Sequence, residues 1–135
     1  MPMLIKKVLR RKHLLLIALV FTIIATCAFL MPGSSIPSIK IDTFIGIDKI
    51  VHAGIHFVLV LCWLVYYATH TVKVKVSNVV FIVVSCVIYG IVIELLQGMT
   101  DTRSSELADI YANMTGTALG TLVFLVLKPK IEIKP

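Results

Sequence analysis

Tyr89 to Gly120 reads YGIVIELLQGMTDTRSSELADIYANMTGTALG. An apolar run ends in Glu94 and Gln97, a short polar loop carries Arg103, and Asp109 and Asn113 open the next apolar run. Ionisable groups at the edges of apolar helices are costly, so they mark a site or an essential helix contact. Asp48-Lys49-Ile50-Val51-His52 repeats the arrangement earlier in the chain, polar residues leading into an apolar run. The two stretches are expected to meet in the fold.

Composition explains why those runs are so apolar. Of the 135 residues, 59% are hydrophobic and the mean hydropathy is +1.00, against about 45–50% apolar in soluble domains. A soluble core of this size could not hide that much apolar surface, whereas bilayer lipid could. Cys27, Cys62 and Cys86 each lie inside an apolar run, where free cysteine behaves as a small hydrophobe. An odd count with no loop cysteine argues against a disulfide framework. The net charge of +6 comes from basic residues flanking apolar segments, the pattern of membrane topology. No aromatic-interleaved basic groove is present, which excludes nucleic acid as a partner.

Outward from the opening stretch, four runs are long enough to span. Leu14 to Met31 is eighteen residues without a charge, close to the ~20 that cross a bilayer core. It follows a basic tail and stops at Pro32-Gly33-Ser34-Ser35-Ile36-Pro37. A cleaved signal peptide is the competing reading, but the run is too long and Ala28-Phe29-Leu30-Met31 offers no small-residue cleavage site. Residues 50–69, 79–97 and 110–127 are the other three, and continuous runs of this length favour helices over barrel strands. The expected fold is an all-α integral membrane protein, one domain over residues 1–135, built as a four-transmembrane-helix bundle.

With the N-terminus inside, the inner segments carry ten Lys and Arg, while the outer ones carry only Lys40, Lys49 and Arg103. The positive-inside rule then makes both termini cytoplasmic, in the bacterial cytoplasmic membrane. Asp42, Asp48, Glu94, Asp101, Glu106 and Asp109 fall on the outer half, so the polar cluster faces the extracytoplasmic side.

Residues three and four apart share a helix face. Asp48, His52 and His56 form one stripe, Cys86, Gly90, Glu94 and Gln97 a second, and Asp109, Asn113, Gly116 and Gly120 a third. The polar ends of the stripes sit at similar depth, so the three helices can share one polar pocket. Gly116 and Gly120 make a GxxxG step that permits close helix approach, and such glycine-containing faces leave a homo-oligomer open.

In this pocket Lys49 and Arg103 are the cations available for a phosphate or carboxylate, Arg103 in bidentate fashion. Glu94, Asp109, Asp48 and His52 are candidates for acid–base work or proton relay, with Glu94, Asp109 and His52 the catalytic candidates. Gln97 and Asn113 complete the ligand-binding set of Asp48, Lys49, His52, Glu94, Gln97, Arg103, Asp109 and Asn113. The plainer reading is that these groups pair with one another to hold the bundle. Interhelical hydrogen bonds average only about 0.6 kcal/mol, a weak reason for so many ionisable groups. His52 and His56 match half of an HExxH site, but Ala53 and Gly54 stand where its glutamate would be. No metal and no cofactor are expected.

The order and spacing of these residues resemble the VanZ-like family of small bacterial membrane proteins. The resemblance rests on Asp48-Lys49-x-x-His52 and on Tyr89-Gly90-x-x-x-Glu94-Leu95-Leu96-Gln97. Arg103, Asp109, Asn113, Gly116 and Gly120 continue it, so that it covers residues 48–120. His56 stands where the family pattern has an aromatic or apolar residue, and Gly98-Met99-Thr100-Asp101 lacks the proline often found before the arginine. The resemblance implies several transmembrane helices and a part in low-level resistance to teicoplanin, a lipid-tailed glycopeptide that acts outside the membrane.

Three functions follow as expectations. The first is an outer pocket that engages a membrane lipid headgroup or an amphiphilic glycopeptide. The second is an enzyme modifying an envelope lipid or lipid-linked sugar, with Glu94 or Asp109 as acid–base. The third is a small proton-coupled transporter or accessory subunit, which four helices could form only as an oligomer.

Overall fold

The computed structural model describes residues 2–32, 46–71, 73–100 and 105–127, with side chains from residue 8 onward. These form α1 (Pro2–Leu30), α2 (Ile47–His70), α3 (Val76–Gly98) and α4 (Leu107–Leu127), with no strand among the described residues. All four helices are long and apolar enough to cross a bilayer, α1 from Val8 onward.

Each helix starts before the apolar run that reveals it. α2, α3 and α4 begin three residues ahead of residues 50, 79 and 110. Their first turns are built from polar residues such as Asp48, Ser77 and Asp109. α1 continues back through the basic segment to Pro2, because Leu, Lys and Arg are good helix formers and Pro is tolerated in the first turn. Hydropathy reports what lies in lipid, whereas helical hydrogen bonding continues into the polar boundary.

α2 and α4 form the closest pair, flanked by α3, while α1 packs on α2 and α3 and makes no contact with α4 among the described residues. The α2–α4 approach is set by glycine. A Cβ on Gly116 would collide with the backbone of Ala53, and one on Gly120 would lie 2.7 Å from the Phe57 carbonyl oxygen. Gly90, Gly116 and Gly120 are all buried inside the bundle, so these glycine faces serve contacts within the chain.

Below the polar residues, Leu59, Val60, Leu64, Cys86 and Phe124 make one buried cluster, and Ala25, Phe29 and Ile93 another. Large apolar side chains such as Ile23, Ile24, Phe81, Ile88, Leu122 and Val126 point outward, where lipid would solvate them. Of the cysteines, only Cys86 is buried, and Cys27 lies on the exterior.

α1 is held by polar bonds spaced along its length. Thr22 and Thr26 donate their hydroxyl hydrogens to the carbonyls of Ala18 and Thr22, which leaves their oxygens as acceptors. Trp63 Nε1 then donates to Thr22 Oγ1 at 3.2 Å, and the Tyr89 hydroxyl pairs with Thr26 Oγ1 at 2.9 Å. At one end Arg11 Nε donates to the Thr69 carbonyl at 2.9 Å, and at the other Gln97 Nε2 donates to the Phe29 carbonyl at 2.7 Å. Each of these two bonds satisfies a carbonyl in the last turn of a helix, where no intrahelical partner exists.

Candidate functional site

The polar residues gather where α1 and α3 finish and α2 and α4 begin. Asp48 and Asp109 occupy the first turns of α2 and α4, where the helix dipole favours a carboxylate. Lys49 lies between them. Its Nζ is 2.7 Å from Glu106 Oε2, 3.0 Å from Asp109 Oδ1 and 3.8 Å from Asp48 Oδ2. The ammonium thus pairs closely with Glu106 and Asp109 and only loosely with Asp48, and it ties the start of α2 to the start of α4.

His52 lies one turn deeper, and α3 and α4 close over it. His52 Nδ1 is 3.2 Å from Asn113 Oδ1 and 3.5 Å from Glu94 Oε1, while Nε2 is 3.7 Å from Asp48 Oδ1. His52 is 2% exposed, Asn113 1% and Glu94 0%. Glu94 Oε2 accepts the Glu106 backbone amide at 3.4 Å. Phe29 of α1 covers the group, its ring 4.9 Å from that of His52.

A further turn down, His56 Nδ1 is 3.3 Å from Thr117 Oγ1, and Thr117 donates in turn to the Asn113 carbonyl at 3.0 Å. The His56 ring stands 5.7 Å from Tyr89. His56 and Thr117 are fully buried. The polar column thus runs two turns along α2 from Asp48 before it meets Leu59, Val60 and Phe124.

The structure therefore brings together Asp48, Lys49, His52, Glu94, Asp109 and Asn113 from three helices. Gln97 shares their end of the bundle, but its amide is engaged with α1 through Phe29. Arg103 lies outside the described residues. Sequence reasoning missed Glu106 as a partner of Lys49, Thr117 as the partner of His56, and Phe29 as the lid. Thr117 was within reach of a sequence reading, since it stands four residues after Asn113 and so shares its face. Phe29 carries no such signal, because it belongs to an unbroken apolar run.

Two chemical consequences follow. The Lys49 ammonium is already bound by carboxylates, so it is not a free receptor for an anion. One ligand atom each from Asp48, His52 and Asp109 lie within 4.8 Å of one another, a donor set of the kind that takes a divalent cation. The Lys49 ammonium contacts the same two carboxylates and is the cation neutralising them in this arrangement. Beneath this charged surface a fully buried carboxylate, Glu94, stands 3.5 Å from a buried imidazole, His52.

Residues 11–128 match the VanZ/LLP1 family model. That span covers most of the chain, and the chain belongs to this family. No curated protein and no solved structure matches it.

Proposed function

We propose that the chain is a multi-pass protein of the bacterial cytoplasmic membrane, with both termini cytoplasmic and its polar cluster facing outward. There it engages the headgroup of an envelope lipid or an amphiphilic glycopeptide and gives low-level resistance to teicoplanin. One observation carries the reading. Glu94, His52 and Asn113 are withdrawn from water at the end of an otherwise apolar bundle, with Lys49 and Asp109 above them. Intramembrane ionisable groups that converge from three helices are the default mark of a functional site. With Lys49 committed to Glu106 and Asp109, recognition of an anionic headgroup falls to Arg103, and the buried carboxylates favour donor groups of the ligand.

The contact between Glu94 and His52 favours a second reading, in which the same site is catalytic on an envelope lipid or lipid-linked sugar. A carboxylate beside an imidazole, both shielded from bulk water, is a pairing that general acid–base chemistry uses.

The test expresses the parent chain, Glu94→Gln, Arg103→Gln and Asp109→Asn in a teicoplanin-sensitive host. Membrane level and inhibitory concentration are read on the same cultures. The expected result is parental insertion with lost protection in the variants. Protection that falls only in step with insertion would reduce the cluster to a helix-packing device. A parent that gives no protection would overturn the resistance role itself. Turnover of a lipid by purified protein, absent in Glu94→Gln, would move the assignment to the enzyme.

A further inference from the structure

At the surface end of the polar column, carboxylates outnumber the cation beside them. Among the described residues, Lys49 supplies the ammonium next to Asp48, Glu106 and Asp109, and its hydrogen bond goes to Glu106 Oε2. Asp109 is 5% exposed. Its Oδ1 stands 3.0 Å from the same ammonium, yet has no hydrogen-bond partner among the described residues. A buried carboxylate oxygen that no donor satisfies is costly.

His52 adds a second buried atom of the same kind. Its Nδ1 faces two acceptors, Asn113 Oδ1 at 3.2 Å and Glu94 Oε1 at 3.5 Å, so this nitrogen carries the ring hydrogen. A metal-binding histidine is held in this way, its other N–H given to a carboxylate or carbonyl. In the neutral ring Nε2 is then a lone pair, facing Asp48 Oδ1 across 3.7 Å. No hydrogen bond spans that distance. It is close to the separation of two ligands on one ion, each about 2.0–2.2 Å from it. Asp109 completes the set, since one ligand atom each from Asp48, His52 and Asp109 lie within 4.8 Å of one another. Three atoms so spaced share a point within about 2.8 Å of each (4.8 Å divided by the square root of 3). The Asp48 side chain, 56% exposed, is free to close the remainder.

We infer that Asp48, His52 Nε2 and Asp109 form a site for a divalent transition-metal ion, zinc above all, at the mouth of the polar column. An imidazole with two carboxylates suits zinc, whereas magnesium takes oxygen ligands. Lys49 competes with the ion, because its ammonium reaches the same two carboxylates, and Glu106 gives it a place to withdraw to. Three protein ligands leave a coordination position open, as in zinc sites that act on substrates. A phosphate oxygen of a lipid headgroup fits that position. This last step rests on the proposed headgroup role, whereas binding of the ion does not.

The test titrates Zn2+ into the full chain, purified without a histidine tag, stripped of metal and held in phosphatidylcholine nanodiscs. Calorimetry should show one Zn2+ bound per chain, and Co2+ in its place should give a visible absorption band. Losing a partner that only orients a metal ligand costs about 10–100-fold, so Asp48→Asn, which removes a ligand, should weaken Zn2+ by about tenfold or more. Asp48 is an exposed side chain, so this variant keeps the test decisive even where His52→Gln fails to fold. A folded His52→Gln should lose the Co2+ band, and Lys49→Met, without the competing ammonium, should bind Zn2+ more tightly. His70→Ala, at the other end of α2, should change nothing. A parent chain that takes up no Zn2+, or affinity unchanged in Asp48→Asn, would overturn the site. Binding lost in His70→Ala, or weakened in Lys49→Met, would overturn it equally. Zn2+ binding in a chain that gives no teicoplanin protection would support the ion and sink the resistance role alone.

Discussion

At the scale of single residues, Lys49 carries the most weight on the surface of the cluster. Its removal leaves Asp109 (side chain 7% exposed) without its cation, whereas Glu106 (51% exposed) can turn to water. Losing one partner of a buried polar group costs about 1–3 kcal/mol, so Lys49→Met should destabilise the bundle by roughly that amount. Lys49→Met combined with Asp109→Asn should recover part of the loss, because the uncompensated carboxylate is gone. Unfolding of the four members of this cycle by denaturing detergent measures the coupling. Equal losses with and without the asparagine would mean that Lys49 acts through its stem and not its charge. The same residues show how far a sequence can be read into a site. Asp48, His52, Glu94, Asp109 and Asn113 were legible because spacing of three and four puts ionisable groups on inward faces, and apolar surroundings make them conspicuous. The commitment of Lys49 to Glu106, and of Gln97 to the Phe29 carbonyl, was not legible. Those bonds depend on how separate helices stand beside one another, which no local spacing encodes.

At the scale of the helices, the four runs were visible from hydropathy alone, while their ends were not, since the first turns hold the polar residues that a hydropathy reading assigns to loops. The GxxxG step was also visible, and its partner was not: spacing says that a backbone can come close, and packing decides whose. Here it is Ala53 and Phe57 of α2, which sets a clear contrast between two glycines. Gly116→Ala forces α2 and α4 apart against backbone atoms that cannot rotate away, and overpacking of this kind costs about 1–3 kcal/mol. Gly54→Ala on the outer face of α2 meets nothing within 4 Å and should be neutral or stabilising. Thermal unfolding of both variants in the same micelles checks the contrast, and equal melting temperatures would remove Gly116 from the interface. α1 obeys a different rule, being hung on hydroxyl and amide bonds. Thr26→Val removes the acceptor of Tyr89, and Gln97→Leu the donor to Phe29. Each should cost on the order of 0.6 kcal/mol, and the two should add, since the sites share no partner. A double variant markedly weaker than that sum would indicate that α1 detaches cooperatively.

At the scale of the whole molecule, what matters is which way the bundle faces. The end that holds Asp48, Glu94, Glu106 and Asp109 is the end that holds Lys49, while Arg10, Arg11, Lys12, Lys73 and Lys75 lie at the opposite end. Basic residues near short loops are retained on the cytoplasmic side, so the ten-to-three distribution of Lys and Arg should place the carboxylate end outside. A cysteine-free chain carrying either Met99→Cys at the carboxylate end or Ser77→Cys at the other decides the matter, since both positions are exposed. A membrane-impermeant maleimide should label Met99→Cys in intact cells and Ser77→Cys only after lysis. The reverse pattern would bury the cluster on the cytoplasmic face, out of reach of a glycopeptide that acts outside, and the resistance role would fall while the helix contacts stood. Labelling of both positions in intact cells would mean that the chain inserts in two orientations. The two populations would then present their carboxylates to opposite leaflets, and only a ligand common to both could be the one the cluster recognises.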